Sequence, residues 1–161
     1  PLGTHALPPE MLEIEITESI AMRNPEQVSS RVAGLRQLGI RFAIDDFGAG
    51  YSNLATLARL PFDTLKLDRS LITNVANDPE QQSILRIALG LAKELGFESV
   101  AEGIETLEDL KFVADAGATM GQGYVFSPAV PIEQLRVLLE PRRLVGERSD
   151  IAPLQKRKMH S

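Results

Sequence analysis

The sequence predicts an α/β fold of the (β/α)-barrel type, here an incomplete barrel of about five parallel strands joined by crossover helices. Three observations carry this expectation. Short apolar runs recur at Leu12–Thr17, Ile40–Asp45, Thr64–Asp68, Glu98–Glu102 and Met120–Phe126, with helical stretches between them. Strand–helix alternation of this kind calls for parallel strands, because a parallel neighbour is reached only through a long crossover. Each of the five runs also delivers a polar or ionisable group at or near its end. In barrels of this type the carboxyl ends of the strands carry the active site.

In Leu12–Thr17, Glu13 and Glu15 alternate with Leu12, Ile14 and Ile16, so both glutamates face one side of the first strand. Glu18 follows just past its end. Asn24-Pro25-Glu26-Gln27 then offers an N-cap, a proline at the first helical position and a capping-box partner. The second run, Ile40-Arg-Phe-Ala-Ile-Asp45, stops at Asp45 and Asp46 before a glycine-rich loop through Gly48 and Gly50. Two neighbouring aspartates converge on one spot only where the strand ends, and the glycines let the backbone depart there. Such a pair serves equally to cap a loop or to seat a hard divalent cation. The loop continues to Leu54, and Ala55–Leu60 reads as a short helix.

Lys66 and Asp68 end the third run. Asp78-Pro79-Glu80-Gln81 repeats the earlier capping arrangement, and Thr106-Leu-Glu-Asp109 is a variant of it. Between them, Ile84, Leu85, Ile87, Ala88, Leu91, Ala92 and Leu95 mark a buried helical stripe. Gly39, Gly96 and Gly117 follow the last helical residues, where left-handed C-terminal caps belong. Glu102 ends the fourth run, in Val-Ala-Glu102-Gly-Ile-Glu105, and Gln122 lies within the fifth.

Composition narrows the setting. A chain of 161 residues with 43% hydrophobic content is one domain or a large piece of one. It contains no cysteine, so disulfides and thiolate metal sites are excluded and a reducing compartment is expected. No apolar stretch is long enough for a membrane span, and no signal peptide is evident. Residues 1–140 hold 11 Lys and Arg against 20 Asp and Glu, a balance of −9 that argues against duplex DNA or RNA as a partner. Residues 141–161 carry a balance of +4 and no periodic apolar content, and read as a basic, flexible tail. His5 and His160 lie near the termini, so histidine acid–base catalysis, imidazole metal ligation and a Ser-His-Asp triad are unsupported. What the strand ends do offer is carboxylates and a lysine. That set suits metal-assisted hydrolysis by Mg²⁺ or Mn²⁺, where two ions about 3.5–4 Å apart activate water and stabilise a leaving oxygen.

The segments Leu12-Glu-Ile-Glu15-Ile-Thr17-Glu18, Asp45-Asp-Phe-Gly-Ala-Gly-Tyr-Ser52, Leu65-Lys66-Leu-Asp68, Val100-Ala-Glu102-Gly-Ile-Glu105 and Gln122-Gly-Tyr124 together resemble EAL-domain phosphodiesterases, from about Leu7 to Leu139. The resemblance implies a TIM-type barrel that hydrolyses cyclic di-GMP, a bacterial second messenger, to its linear dinucleotide. By position it makes Glu15 a metal ligand and Asp45 a bridge between two ions, with Asp46 and Glu102 on the second. It makes Lys66 the group that orients the attacking water. Glu18 and Glu105 would brace the loop after Asp46, which also carries the family's dimer contact, and Gln122 would complete the rim. A bacterial cytoplasmic setting is implied, as a free protein or as the cytoplasmic part of a larger one.

Two departures stand out. Asn53 takes a place where the family more often has serine. The Glu-Ala-Leu tripeptide that names the family is absent, as are an arginine near it and an asparagine on the next strand, and only 14 residues precede Glu15. Against the ~250 residues usual for such a barrel, about three strands are expected to be missing. Impaired turnover, exposed sheet edges and an open apolar core follow as expectations, with a homodimer or the missing N-terminal segment covering the edges. The alternative reading is a non-catalytic module of the same descent that binds cyclic di-GMP or another protein.

Overall fold

Strand order follows chain order in the computed structural model, which describes residues 7–50 and 53–139, the last four of them as backbone alone. The basic tail, both histidines and the Tyr51-Ser52 pair of the motif lie outside the described residues. The chain divides into two units, residues 1–128 and 129–161. The first holds β1 (Glu13–Thr17), α1 (Glu18–Arg23), α2 (Pro25–Arg36), β2 (Arg41–Phe47), α3 (Leu54–Leu57), β3 (Thr64–Leu67), α4 (Pro79–Glu94), β4 (Glu98–Ala101), α5 (Leu107–Asp115) and β5 (Met120–Gly121). The second contributes one described helix, α6 (Ile132–Leu139).

All four strand pairings are parallel, with Glu13 opposite Arg41, Thr64 opposite Glu98 and Val100 opposite Met120. This is the expected incomplete barrel, with β1 and β5 as its edges. Alternation sorts each strand's side chains onto two faces. Ile14, Ile16, Phe42, Ile44, Leu65, Leu67 and Ala101 join the core beneath the helices, with Val32, Leu85, Ala88, Leu89, Ala92 and Val113 packed from the helix side. Phe42 anchors it edge-on against Phe62, ring centroids 6.4 Å apart.

The other face was expected to be an open apolar core, and here the structure differs. It presents Glu13, Glu15, Arg41, Asp45, Thr64, Lys66, Glu98 and Glu102, with Ala43, Val100 and Met120 between them. The strands are amphipathic because two environments must be served. Hydrophobic burial drives one face against helices, while the other forms the wall of a polar interior.

Two strand ends also differ from expectation. β2 does not stop at Asp45 but runs on through Phe47, with an irregular register against β3 between Ile44 and Phe47. Asp46 adopts φ 56°, a left-handed conformation that aspartate tolerates better than most residues. The resulting bulge re-aims the two carboxylates without ending the strand. β5 spans two residues instead of seven. A Cβ on Gly123 would lie 2.1 Å from the Ile104 carbonyl oxygen, so the chain turns away tightly beneath the preceding loop and leaves the ladder.

Helix signals were met unevenly. Asp78 accepts from the Glu80 and Gln81 N–H groups, and Thr106 accepts from that of Asp109, but Asn24 caps α2 with no side-chain bond. Gln81 is not a capping-box partner, since its amide donates to the Ser70 carbonyl. Gly39, Gly96 and Gly117 have the expected positive φ. The α4 stripe is rotated from the expected one: Ile84 and Ile87 are exposed, whereas Leu89 is buried.

Candidate functional site

Three strands meet at Lys66. Its Nζ lies 2.7 Å from Glu15 Oε1, 2.9 Å from Glu102 Oε1 and 3.1 Å from Asp45 Oδ1. Lys66 stands on the central strand β3, Glu15 on β1, Asp45 on β2 and Glu102 just past β4, so parallel register brings them to one end of the polar face. The lysine side chain is only 11% exposed. Burial alone would favour its neutral form, but its contacts with the Glu15, Glu102 and Asp45 carboxylates outweigh that and hold its pKa above the ordinary lysine value. The ammonium therefore stays charged.

Asp45 Oδ1 is buried and receives no directed hydrogen bond among the described residues. The nearby Lys66 ammonium compensates its charge, but from a direction unsuited to a hydrogen bond. An anionic oxygen in that position still has coordinating capacity to offer. Among the described residues no three acidic or imidazole groups are gathered closely enough to enclose a bare ion. The space where the carboxylates converge is taken by the ammonium. In kind, the donor set fits a hard divalent cation: carboxylate oxygens only, one of them without a hydrogen bond.

The remaining expected residues surround this cluster. Asp46 is exposed on the bulge and takes no part in the Lys66 ion pairs, although it shares the strand end with Asp45. Glu18, at the start of α1, is buried, and its Oε2 accepts from the Gly48 N–H at 3.1 Å. This bond ties the start of α1 to the loop after Asp46. Gly48 has φ 101°, a conformation strained for any other residue, and a Cβ there would lie 2.5 Å from Leu71 Cδ1 and push that side chain aside. Glu105 pairs with Arg69 at 2.7 Å on the neighbouring strand end. Gln122 lines a cavity of about 230 Å³ with Arg69, Gly103, Glu105, Gly123 and Tyr124. Asp68 Oδ1 accepts from the Ser70 N–H, and bonding to Ser70 holds its pKa below the ordinary carboxylate value.

A second polar layer lies one step down the strands and was missed by the sequence reading. Arg41 donates to Glu98 and to Thr64 Oγ1, and lies 3.6 Å from Glu13. Thr64 in turn donates to Glu13 at 2.7 Å. The pair with Glu98 is the main cause of a raised pKa at Arg41. This layer ties the edge strand β1 to β2, β3 and β4 below the lysine cluster. Its signal was present in the alternation, which puts Arg41 on the face of Asp45 and opposite Phe42 and Ile44.

Known proteins resemble this chain in both sequence and fold. The EAL domain profile matches residues 2–129. A cyclic di-GMP phosphodiesterase of Pseudomonas aeruginosa, NbdA, is 40% identical over 132 residues, which is 82% of this chain and 17% of that protein. The solved phosphodiesterase PaMucR, in complex with c-di-GMP, superimposes with a TM-score of 0.79 at 38% identity, covering 83% of this chain and 54% of that one. Klebsiella pneumoniae BlrP1, solved with manganese and c-di-GMP, gives a TM-score of 0.73 at 35% identity, covering 79% and 32%. The chain thus spans under a fifth of the length of NbdA and about half of the MucR structure. Among the described residues, no helix is long and apolar enough to cross a membrane.

Proposed function

The chain belongs to the EAL-domain family, and we propose that it supplies the larger part of the metal- and phosphate-facing rim of a bacterial cyclic di-GMP phosphodiesterase. The reaction is hydrolysis of one phosphodiester bond to leave the linear dinucleotide. The observation that carries the proposal is the convergence of Glu15, Asp45 and Glu102, from three strands, on the buried ammonium of Lys66. An isolated surface ion pair contributes little, whereas a buried lysine held by three carboxylates at a barrel's carboxyl rim lies where such folds build their chemistry.

Glu15 and Asp45 would hold one Mg²⁺ or Mn²⁺ ion, and Asp45, Asp46 and Glu102 a second. When bound, such ions supply Lewis acidity toward the phosphodiester and its attacking water. Lys66 keeps its charge, so its N–H groups orient that water or neutralise negative charge growing on the phosphoryl oxygens. Glu18 fixes the loop that follows Asp46, and Gln122 offers an amide at the rim beside the Arg69–Glu105 pair. The open edges of β1 and β5 are suited to the remaining barrel strands or to a second copy of the chain, in the bacterial cytoplasm.

Chromatographic assay of cyclic di-GMP turnover tests the reading. With Mn²⁺ or Mg²⁺ the chain is expected to form the linear dinucleotide slowly and to stop when a chelator is added. Turnover should rise when the N-terminal half of an EAL barrel is supplied in trans. Nucleotide binding without linear product under both conditions would favour a binding module over an enzyme.

A further inference from the structure

We infer that Lys66 is a built-in counter-ion that competes with the divalent cation for the same three carboxylates, so that metal loading makes the ammonium release Glu15, Asp45 and Glu102. The inference rests on the metal-dependent reading above and adds how that site is filled. Its ground is geometric. Three oxygens from three strands lie 2.7, 2.9 and 3.1 Å from one nitrogen. A hard cation would need oxygens at about 2.0–2.6 Å, at the point where these three converge. It cannot share that point with an ammonium at hydrogen-bond distance, because like charges a few ångströms apart repel strongly where water is scarce.

The rest of the cluster permits the exchange. The backbone of Lys66 is held in the central strand, with Val100 of β4 as its partner, while its flexible four-carbon stem lets the charged head withdraw. Asp45 Oδ1 gains most, trading an off-axis contact for coordination. The displaced ammonium then faces outward from the carboxylates, toward the substrate side of the rim. Loading the metal and aiming the lysine become one event. Without metal, the same contacts keep three carboxylates from repelling one another.

Calorimetric titration of Mn²⁺ into the chain and into Lys66→Met tests this. Removing the competing charge is expected to tighten Mn²⁺ binding by about tenfold or more. Lys66→Arg keeps the charge and should bind no tighter than the unsubstituted chain. If Lys66→Met fails to fold, Lys66→Gln serves in its place. In the unsubstituted chain the Lys66 ammonium resonance, followed by ¹⁵N NMR, should move on addition of Mg²⁺. Equal or weaker Mn²⁺ binding by the neutral variants, with a lysine resonance indifferent to Mg²⁺, would overturn the competition. If Mn²⁺ binding to the unsubstituted chain is still lost in Asp45→Asn, the metal reading survives that result. Absence of Mn²⁺ binding in every form would overturn both.

Discussion

Glu102→Gln is expected to cut cyclic di-GMP turnover by roughly 10²–10³-fold, comparable to deleting one preorganised charge-stabilising group from an active site. Glu102 follows β4 directly and holds Lys66 at 2.9 Å. The amide keeps the shape but loses the charge, so one anchor of the lysine and the proposed metal ligand are weakened together. The fold should be unaffected, because Glu102 stands on the polar face and outside the core. Turnover measured beside a thermal melt separates these outcomes. Unchanged turnover with an unchanged melt would remove Glu102 from the chemistry.

Phe42→Ala should have the largest effect on stability, costing about 3–5 kcal/mol. Phe42 is 2% exposed, lies in the second strand of the sheet and meets Phe62 edge-on, so truncation opens a cavity that the sheet backbone cannot collapse to fill. Its neighbour Arg41 points to the other face, and Arg41→Gln should cost no more than about 1 kcal/mol because its ion pairs are partly exposed. Denaturant titration of the two variants checks the two-faced reading of β2. Similar losses from both would contradict it.

Much of this arrangement was legible in the chain because a strand's period of two is easily read when charged and apolar residues alternate. Glu13 and Glu15 alternating with Leu12, Ile14 and Ile16, and Lys66 between leucines, announce both the strand and the face. Other features were not legible because sequence does not separate the states that compete for them. A strand that ends at Asp45-Asp46 and one that bulges there share the same residues, and only the left-handed backbone at Asp46 distinguishes them. The apolar run Met120–Phe126 reads as a strand, yet the tight passage of Gly123 under Ile104 ends the ladder at Gly121. On α4, apolar residues lie on more than one face, so the pattern could not tell that Leu89 would be buried and Ile87 left outside. The rim residues were found through motif order, but the partner of Glu105 was not, since Arg69 sits on a different strand end. The Arg41 layer was overlooked because a lone arginine in an apolar strand reads as a solvent-facing residue.

The central claim is that Glu15, Asp45 and Glu102 line one cation-binding centre around the position now held by Lys66. Crystals of the chain equilibrated with Mn²⁺ and recorded at the manganese absorption edge test it most directly. The account predicts an anomalous peak within about 2.0–2.6 Å of carboxylate oxygens of Asp45 and Glu102, with the Lys66 ammonium moved away from it. A chain that takes up Mn²⁺ only at sites remote from these carboxylates, with Lys66 still in place among them, would contradict it.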